Sequence, residues 1–170
     1  MAKTPSKSPT AKSKVPEIVE YRSGDPLWIR WLLPCDMATV AKMDRLEFDH
    51  ESWVEKDFAV FLKGHHTRLG FVATAHDHIV GYMVYEWFKN RVELVRLCVL
   101  PEVRRQTVAT QMIVQLKERL RASKKCRHLA ANVPDHLLPM QLFLKKEEFR
   151  ALHVLSEEDG NDFYRMIYTF

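Results

Sequence analysis

One change of hydrophobic period constrains this chain more than any other feature. From Val92 to Leu100 the residues are apolar apart from Glu93 and Arg96, and Pro101 ends the run. A few residues on, Val108, Met112, Leu116 and Leu120 recur at every fourth position, with Ile113 beside them and Lys117, Arg119 and Arg121 elsewhere. The first pattern predicts a buried strand, the second an amphipathic helix of about 15 residues. Between them lies a short basic loop containing Arg104 and Arg105. A helix start offers unpaired backbone N–H groups and the positive end of the helix dipole, which together suit phosphate. The two arginines add charge there. The same residues also describe an exposed pair at an ordinary helix start, and this segment alone does not decide.

The neighbouring segments predict a single domain of alternating strands and helices. Trp28 to Leu33 suits a first strand, after which Asp36 is placed to cap a helix carrying Met37, Val40 and Ala41. Ser52 and Glu55 have capping-box spacing, and Val54, Phe58, Phe61 and Leu62 follow at helical intervals. Arg68 to His76 and Ile79 to Trp87 form a hairpin about His76-Asp77-His78. Beyond the amphipathic helix come a short strand at His128 to Val133 and a helix at Leu138 to Glu148. Two closing strands, Arg150 to Leu155 and Phe163 to Phe170, flank a turn at Glu157 to Asn161. The resulting order, β-α-α-β-β-β-α-β-α-β-β, is a mixed α/β (α+β) sheet of six to seven strands flanked by about four helices.

Composition narrows the function classes. Residues 1–16 are Lys, Ser, Thr, Pro and Ala with almost nothing to bury, and read as a disordered basic tail ahead of a domain spanning 17–170. The net charge is +4, matched by Lys3, Lys7, Lys12 and Lys14, so the body is near neutral. A nucleic-acid surface is therefore expected nowhere except the tail. No apolar run reaches membrane-spanning length, and no secretory signal opens the chain. Cys35, Cys98 and Cys126 are widely spaced, which argues against disulfides and zinc and fits a reducing, cytoplasmic setting. His65, His66, His76 and His78 lack a third ligand at a recognisable spacing, so no metal is expected. Cys98 has no neighbouring base in sequence and reads as a packing residue.

The loop Arg104-Arg105-Gln106-Thr107-Val108-Ala109 resembles motif A of the GNAT acetyltransferases, Q/R-x-x-G-x-G/A after a strand. Ile79-Val80-Gly81-Tyr82 looks like the family's third strand, and Phe143 to Phe149 is similar to its late L-Y-x-K-x-G-F segment. The resemblance extends over about residues 27 to 170 and is nearest in look to ribosomal-protein alanine acetyltransferases. It implies a GNAT fold in which the strand before the loop splays from its neighbour. The backbone of Leu97, Cys98 and Val99 would pair with the pantetheine arm of acetyl-CoA. The amides of Arg104, Arg105, Gln106, Thr107, Val108, Ala109 and Thr110 would hold its pyrophosphate. The implied reaction is acetyl transfer to a primary amine of a protein N-terminus, a lysine or a small molecule. Trp53, Phe58, Tyr85 and Trp87 are candidates for the acceptor channel, and the last strands for a homodimer contact.

The chain departs from the family pattern where chemistry is concerned. Thr107 stands at the first motif glycine, Leu144 at the tyrosine that protonates the leaving thiolate, and Glu148 at the late glycine. Leu137 replaces an asparagine, and Asn132 the glutamate that the alanine acetyltransferases carry on the fifth strand. Glu93 lies where histone-acetylating relatives place a general base, and a carboxylate between apolar neighbours suits that role; the alternative is an ion pair with Arg91 or Arg96, or an exposed strand end. Three functions from different classes follow: an acetyl-CoA-dependent N-acetyltransferase, a degenerate module that binds acyl-CoA or a protein partner without turnover, and a nucleic-acid-associated adaptor acting through the basic tail.

Overall fold

The computed structural model describes residues 22, 24–63, 66–156 and 162–170. The tail at 1–16, His65 and the turn at Glu157 to Asn161 lie outside them. The elements run β1 (Trp28–Trp31), α1 (Met37–Phe48), α2 (Glu55–Leu62), β2 (Arg68–Ala75), β3 (His78–Phe88) and β4 (Arg91–Val99), then α3 (Val108–Ser123), β5 (His128–Pro134), α4 (Leu138–Lys146), β6 (Arg150–Ser156) and β7 (Asp162–Thr169). This is the expected order. The strands form one sheet in the order β1-β2-β3-β4-β5-β7-β6. Among the described strands only β4 and β5 pair in parallel, because α3 carries the chain back across the sheet between them.

Each face of the sheet buries its own cluster. Val108, Met112, Ile113, Leu116 and Leu120 of α3 pack on Phe71, Met83, Val92, Leu129 and Met166, and Leu144 of α4 joins them. On the other face, Val40 and Met43 of α1 and Phe58 of α2 pack on Val72, Tyr82, Val84 and Cys98. Phe58 and Tyr85 are therefore core, one on each face, and not channel lining. Trp87 packs at the edge of the α3 cluster and Trp53 beside Phe58.

Local signals shift by a residue or two. The β2–β3 joint is His76-Asp77, both left-handed at φ 47° and 64°, which is the twist a tight hairpin needs. Asp36 stands at the N-cap of α1, but its side chain makes no capping bond to the helix. Its carboxylate instead accepts from the Leu33 amide at 2.8 Å and from both terminal nitrogens of Arg30, tying β1 to the entry of α1. Nor does Ser52 cap α2: the helix begins at Glu55, and Asp57 accepts from the Val54 amide at 2.9 Å.

The end of α4 is built like a glycine cap without the glycine. The Phe149 amide donates to the Leu144 carbonyl at 2.9 Å, and the Glu148 amide to Lys145 at 3.0 Å. These are the two bonds of a Schellman motif, and Phe149 and Leu144 are both buried in the same core cluster. Glu148 takes the left-handed conformation at φ 67° that the motif requires.

Candidate functional site

The site starts as a fork in the sheet. Strands β4 and β5 pair only from Arg91↔His128 to Leu94↔Ala131. Beyond that point β4 continues beside β3 as far as Val99, and β5 beside β7 as far as Pro134. A bulge marks the parting: Val84 faces Arg96 while Tyr85 faces Leu94, so Val95 is the extra residue. A bulge bends and twists its strand, which turns β4 away from β5.

The open edge of β4 has a defined polarity. The Leu100 amide donates to the Val80 carbonyl at 3.0 Å, so those two residues form a hydrogen-bonded pair. Antiparallel pairs alternate, so Val99 (opposite Gly81) and Leu97 (opposite Met83) turn their N–H and C=O groups away from β3 and into the fork. Cys98 turns its backbone to β3. Its buried thiol donates to the Met43 carbonyl at 3.8 Å, and burial, with Glu47 the next contributor, pushes the thiol up to about 12. It is a packing residue, as read from sequence.

At the mouth of the fork α3 begins. Its first intrahelical bond in sequence is Gln111 N–H to Thr107 C=O at 2.9 Å, and no side chain caps the start. The amides of Val108, Ala109 and Thr110 thus stand at an uncapped helix terminus. Arg105 and Thr107 are both left-handed, at φ 62° and 68°. Thr107 therefore takes the backbone shape for which the motif has glycine, at a cost of about 1–2 kcal/mol for a residue with a Cβ. Its hydroxyl accepts from Gln111 Nε2 at 3.1 Å, which leaves the hydroxyl proton available to an anion. Gln106 is half-buried in the loop, and the Thr110 hydroxyl donates to Glu147 at 2.8 Å.

The two loop arginines differ. Arg105 is exposed and makes no ion pair with the described residues. Arg104 is committed: its Nε donates to the fork-facing carbonyl of Val99 at 3.0 Å, and its terminal nitrogen pairs with Glu47 of α1. A cavity of about 290 Å³ opens beside the first turn of α3, lined by Leu27, Ile29, Thr110, Gln111, Val114 and Gln115. None of these residues lies on β4 or β5, so this cavity is not the fork.

The crotch of the fork, on the sheet face that carries α1 and α2, holds a polar bridge across three strands. Glu93 of β4 is gripped by Arg165 of β7 through both carboxylate oxygens, one at 2.6 Å, and by Arg91 Nε at 2.8 Å. Arg165 also donates to Asn132 of β5 at 2.8 Å. Glu93 is thus not isolated among apolar neighbours. The alternative reading, a pairing with Arg91, is the one that forms, whereas Arg96 points to Asp44. That buried carboxylate accepts from Arg96 at 3.1 Å, from the Tyr82 hydroxyl and from the Trp53 amide, and so fixes α1 to β3 and β4. Arg96 stacks on Phe48 and Trp53 with its carbon 4.3 and 4.7 Å from their ring centroids.

Sequence reading missed Glu47, Arg165 and the role of Asp44. Arg165 had a signal, a lone cation between apolar neighbours in a closing strand. Glu47 had none, since one acidic residue on an exposed helix face looks like any other. Leu144, at the position of the family's tyrosine, is fully buried. Among the described residues no group of His, Cys, Asp or Glu could hold a metal, and no helix is long and apolar enough to cross a membrane.

A fork opening onto an uncapped helix start after a basic loop is the arrangement that the motif resemblance implies. The model of the acetyltransferase (GNAT) family matches residues 29–149, and the chain belongs to that family. Solved structures agree in fold. The ribosomal-protein-S18-alanine N-acetyltransferase from Escherichia coli superposes with a TM-score of 0.73 at 17% identity, covering 85% of this chain and 94% of its own. NAA60 from Arabidopsis thaliana, in complex with acetyl-CoA, gives 0.73 at 15% identity, covering 85% and 99%. Ard1 from Thermoplasma volcanium gives 0.74 at 17% identity, covering 84% and 97%. No curated protein matches the chain.

Proposed function

We propose that this protein is an N-acetyltransferase that moves an acetyl group from acetyl-CoA to a primary amine. The observation that carries the reading is the fork itself: Leu97 and Val99 turn backbone donors and acceptors into a gap that ends at the uncapped start of α3. In this reading the donor's parts follow the site in order. Pantetheine would add to the open edge of β4 like a short strand. Pyrophosphate would meet the amides of Val108, Ala109 and Thr110, the Thr107 hydroxyl and Arg105. The thioester would then lie near the crotch, where an amine approaching from the α1 and α2 face reaches its carbonyl. Holding both reactants there supplies proximity and orientation.

Proton handling is less conventional. Leu144 has no proton to give, so the thiolate leaves unaided or takes a proton from water. Glu93 is the carboxylate at the crotch, and we retain it as the acceptor of the amine's proton. Because Arg165 holds both of its oxygens, this role requires Arg165 to shift toward Asn132 and free one of them.

Incubation of the protein with acetyl-CoA and a panel of N-terminal peptides, lysine peptides and small amines tests the reading through release of free thiol. Amine-dependent release, lowered by E93Q, is the expected result. Saturable acetyl-CoA binding without release for any amine would favour the second reading, a donor-binding module without turnover, which the replacements at Leu144 and Asn132 motivate.

A further inference from the structure

We infer that Glu47 and Arg104 form a positioning pair, through which helix α1 sets the fork-facing carbonyl of Val99, so that Arg104 acts on the acyl donor's arm and not on its phosphate. The inference rests on the donor reading above. Both loop arginines are exposed, but only Arg105 is unpaired among the described residues. The Arg104 guanidinium spans two partners at once, the Val99 carbonyl at 3.0 Å and the Glu47 carboxylate. A planar guanidinium can hold such a pair in fixed relation, whereas an ammonium on a flexible stem cannot.

The partners matter because of where they lie. Val99 is the last residue of β4, and its carbonyl faces the gap that the donor must enter. Glu47 lies in the last turn of α1, the helix whose Asp44 is already anchored to β3 and β4. The pair therefore links the wall on the acceptor side to the edge on the donor side. Removing Glu47 would free Arg104 to swing toward phosphate and would release the carbonyl. An ordinary surface ion pair would transmit nothing to the donor, which makes the inference testable.

The probe is acetyl-CoA carrying ¹³C at the acetyl carbonyl, followed by calorimetry at several salt concentrations and by the carbonyl resonance in the complex. R105A should weaken binding roughly tenfold or more, as expected for a lost charge-assisted bond, and flatten its salt dependence. R104A should keep the wild-type salt dependence but move the carbonyl resonance. E47Q should move it too, and E47Q/R104A no further than either single change. R104K, which keeps the charge without the planar fork, should resemble R104A. Flattening of the salt dependence by R104A to the extent seen for R105A, or a wild-type resonance in E47Q, would overturn the pair's role while leaving the donor reading intact. Failure of the wild type to bind would overturn both.

Discussion

Replacing Glu148 by glycine should make this protein more stable. Glu148 closes α4 at φ 67°, where a residue with a Cβ crowds the neighbouring carbonyl. The penalty is about 1–2 kcal/mol. Glycine removes it but gains freedom in the unfolded chain, which costs about 0.5–1 kcal/mol. A glutamate beside the negative end of a helix adds a few tenths of a kcal/mol to the gain on removal. Its side chain is exposed, so little packing is lost. The net expectation is about 0.5–1.5 kcal/mol, or roughly 2–5 °C in Tm for a chain of this size. E148A is the control, since it removes the charge and keeps the Cβ. Urea denaturation should place E148G above E148A by about 1 kcal/mol with an unchanged slope. If the two variants are equal, or if glycine is the less stable, the left-handed cap does not carry the cost assigned to it.

Three further results are expected. D44A takes the carboxylate from the Arg96 guanidinium, whose side chain is only 11% exposed, and from Tyr82 and the Trp53 amide; a loss of about 3–5 kcal/mol is expected by urea denaturation, and a loss below about 1 kcal/mol would contradict the hub. Of the three cysteines, Cys35 is exposed while burial raises the thiols of Cys98 and Cys126, so a disulfide reagent should titrate one thiol in the native protein and the others only on unfolding. Burial alone would raise the Asp36 carboxyl, but the Arg30 bond and the Leu33 amide hold it below its ordinary 3.8. The stability it contributes is complete above that value and is lost as pH falls through the lower folded one, so stability of D36N should fall less steeply under acid than that of the wild type.

The fold was legible because the period changes are strong. The apolar run at Val92 to Leu100 and the four-residue spacing from Val108 to Leu120 fixed β4, α3 and the loop between them. What escaped the sequence was pairing across distance. Glu93 reads as isolated because its neighbours in the chain are apolar, yet Arg165 reaches it from a strand far along the sequence. Cap chemistry was misread because the Asp36 carboxylate turns to Arg30 and the Leu33 amide, and because Asp57, not the Ser52 and Glu55 pair, closes on the start of α2. The missing motif glycines misled least. Thr107 and Glu148 hold the backbone shape of glycine, so the loop and the late turn survive a change that looks disruptive in the sequence.

Calorimetric titration of the wild-type protein and R105A with acetyl-CoA tests the central claim most directly. Saturable binding by the wild type, weakened roughly tenfold or more in R105A, is the result expected of a donor held in the fork with its pyrophosphate at the start of α3. An absence of binding by the folded wild-type protein would contradict the account, and would mean that Thr107 and Arg104 close the site that the backbone leaves open.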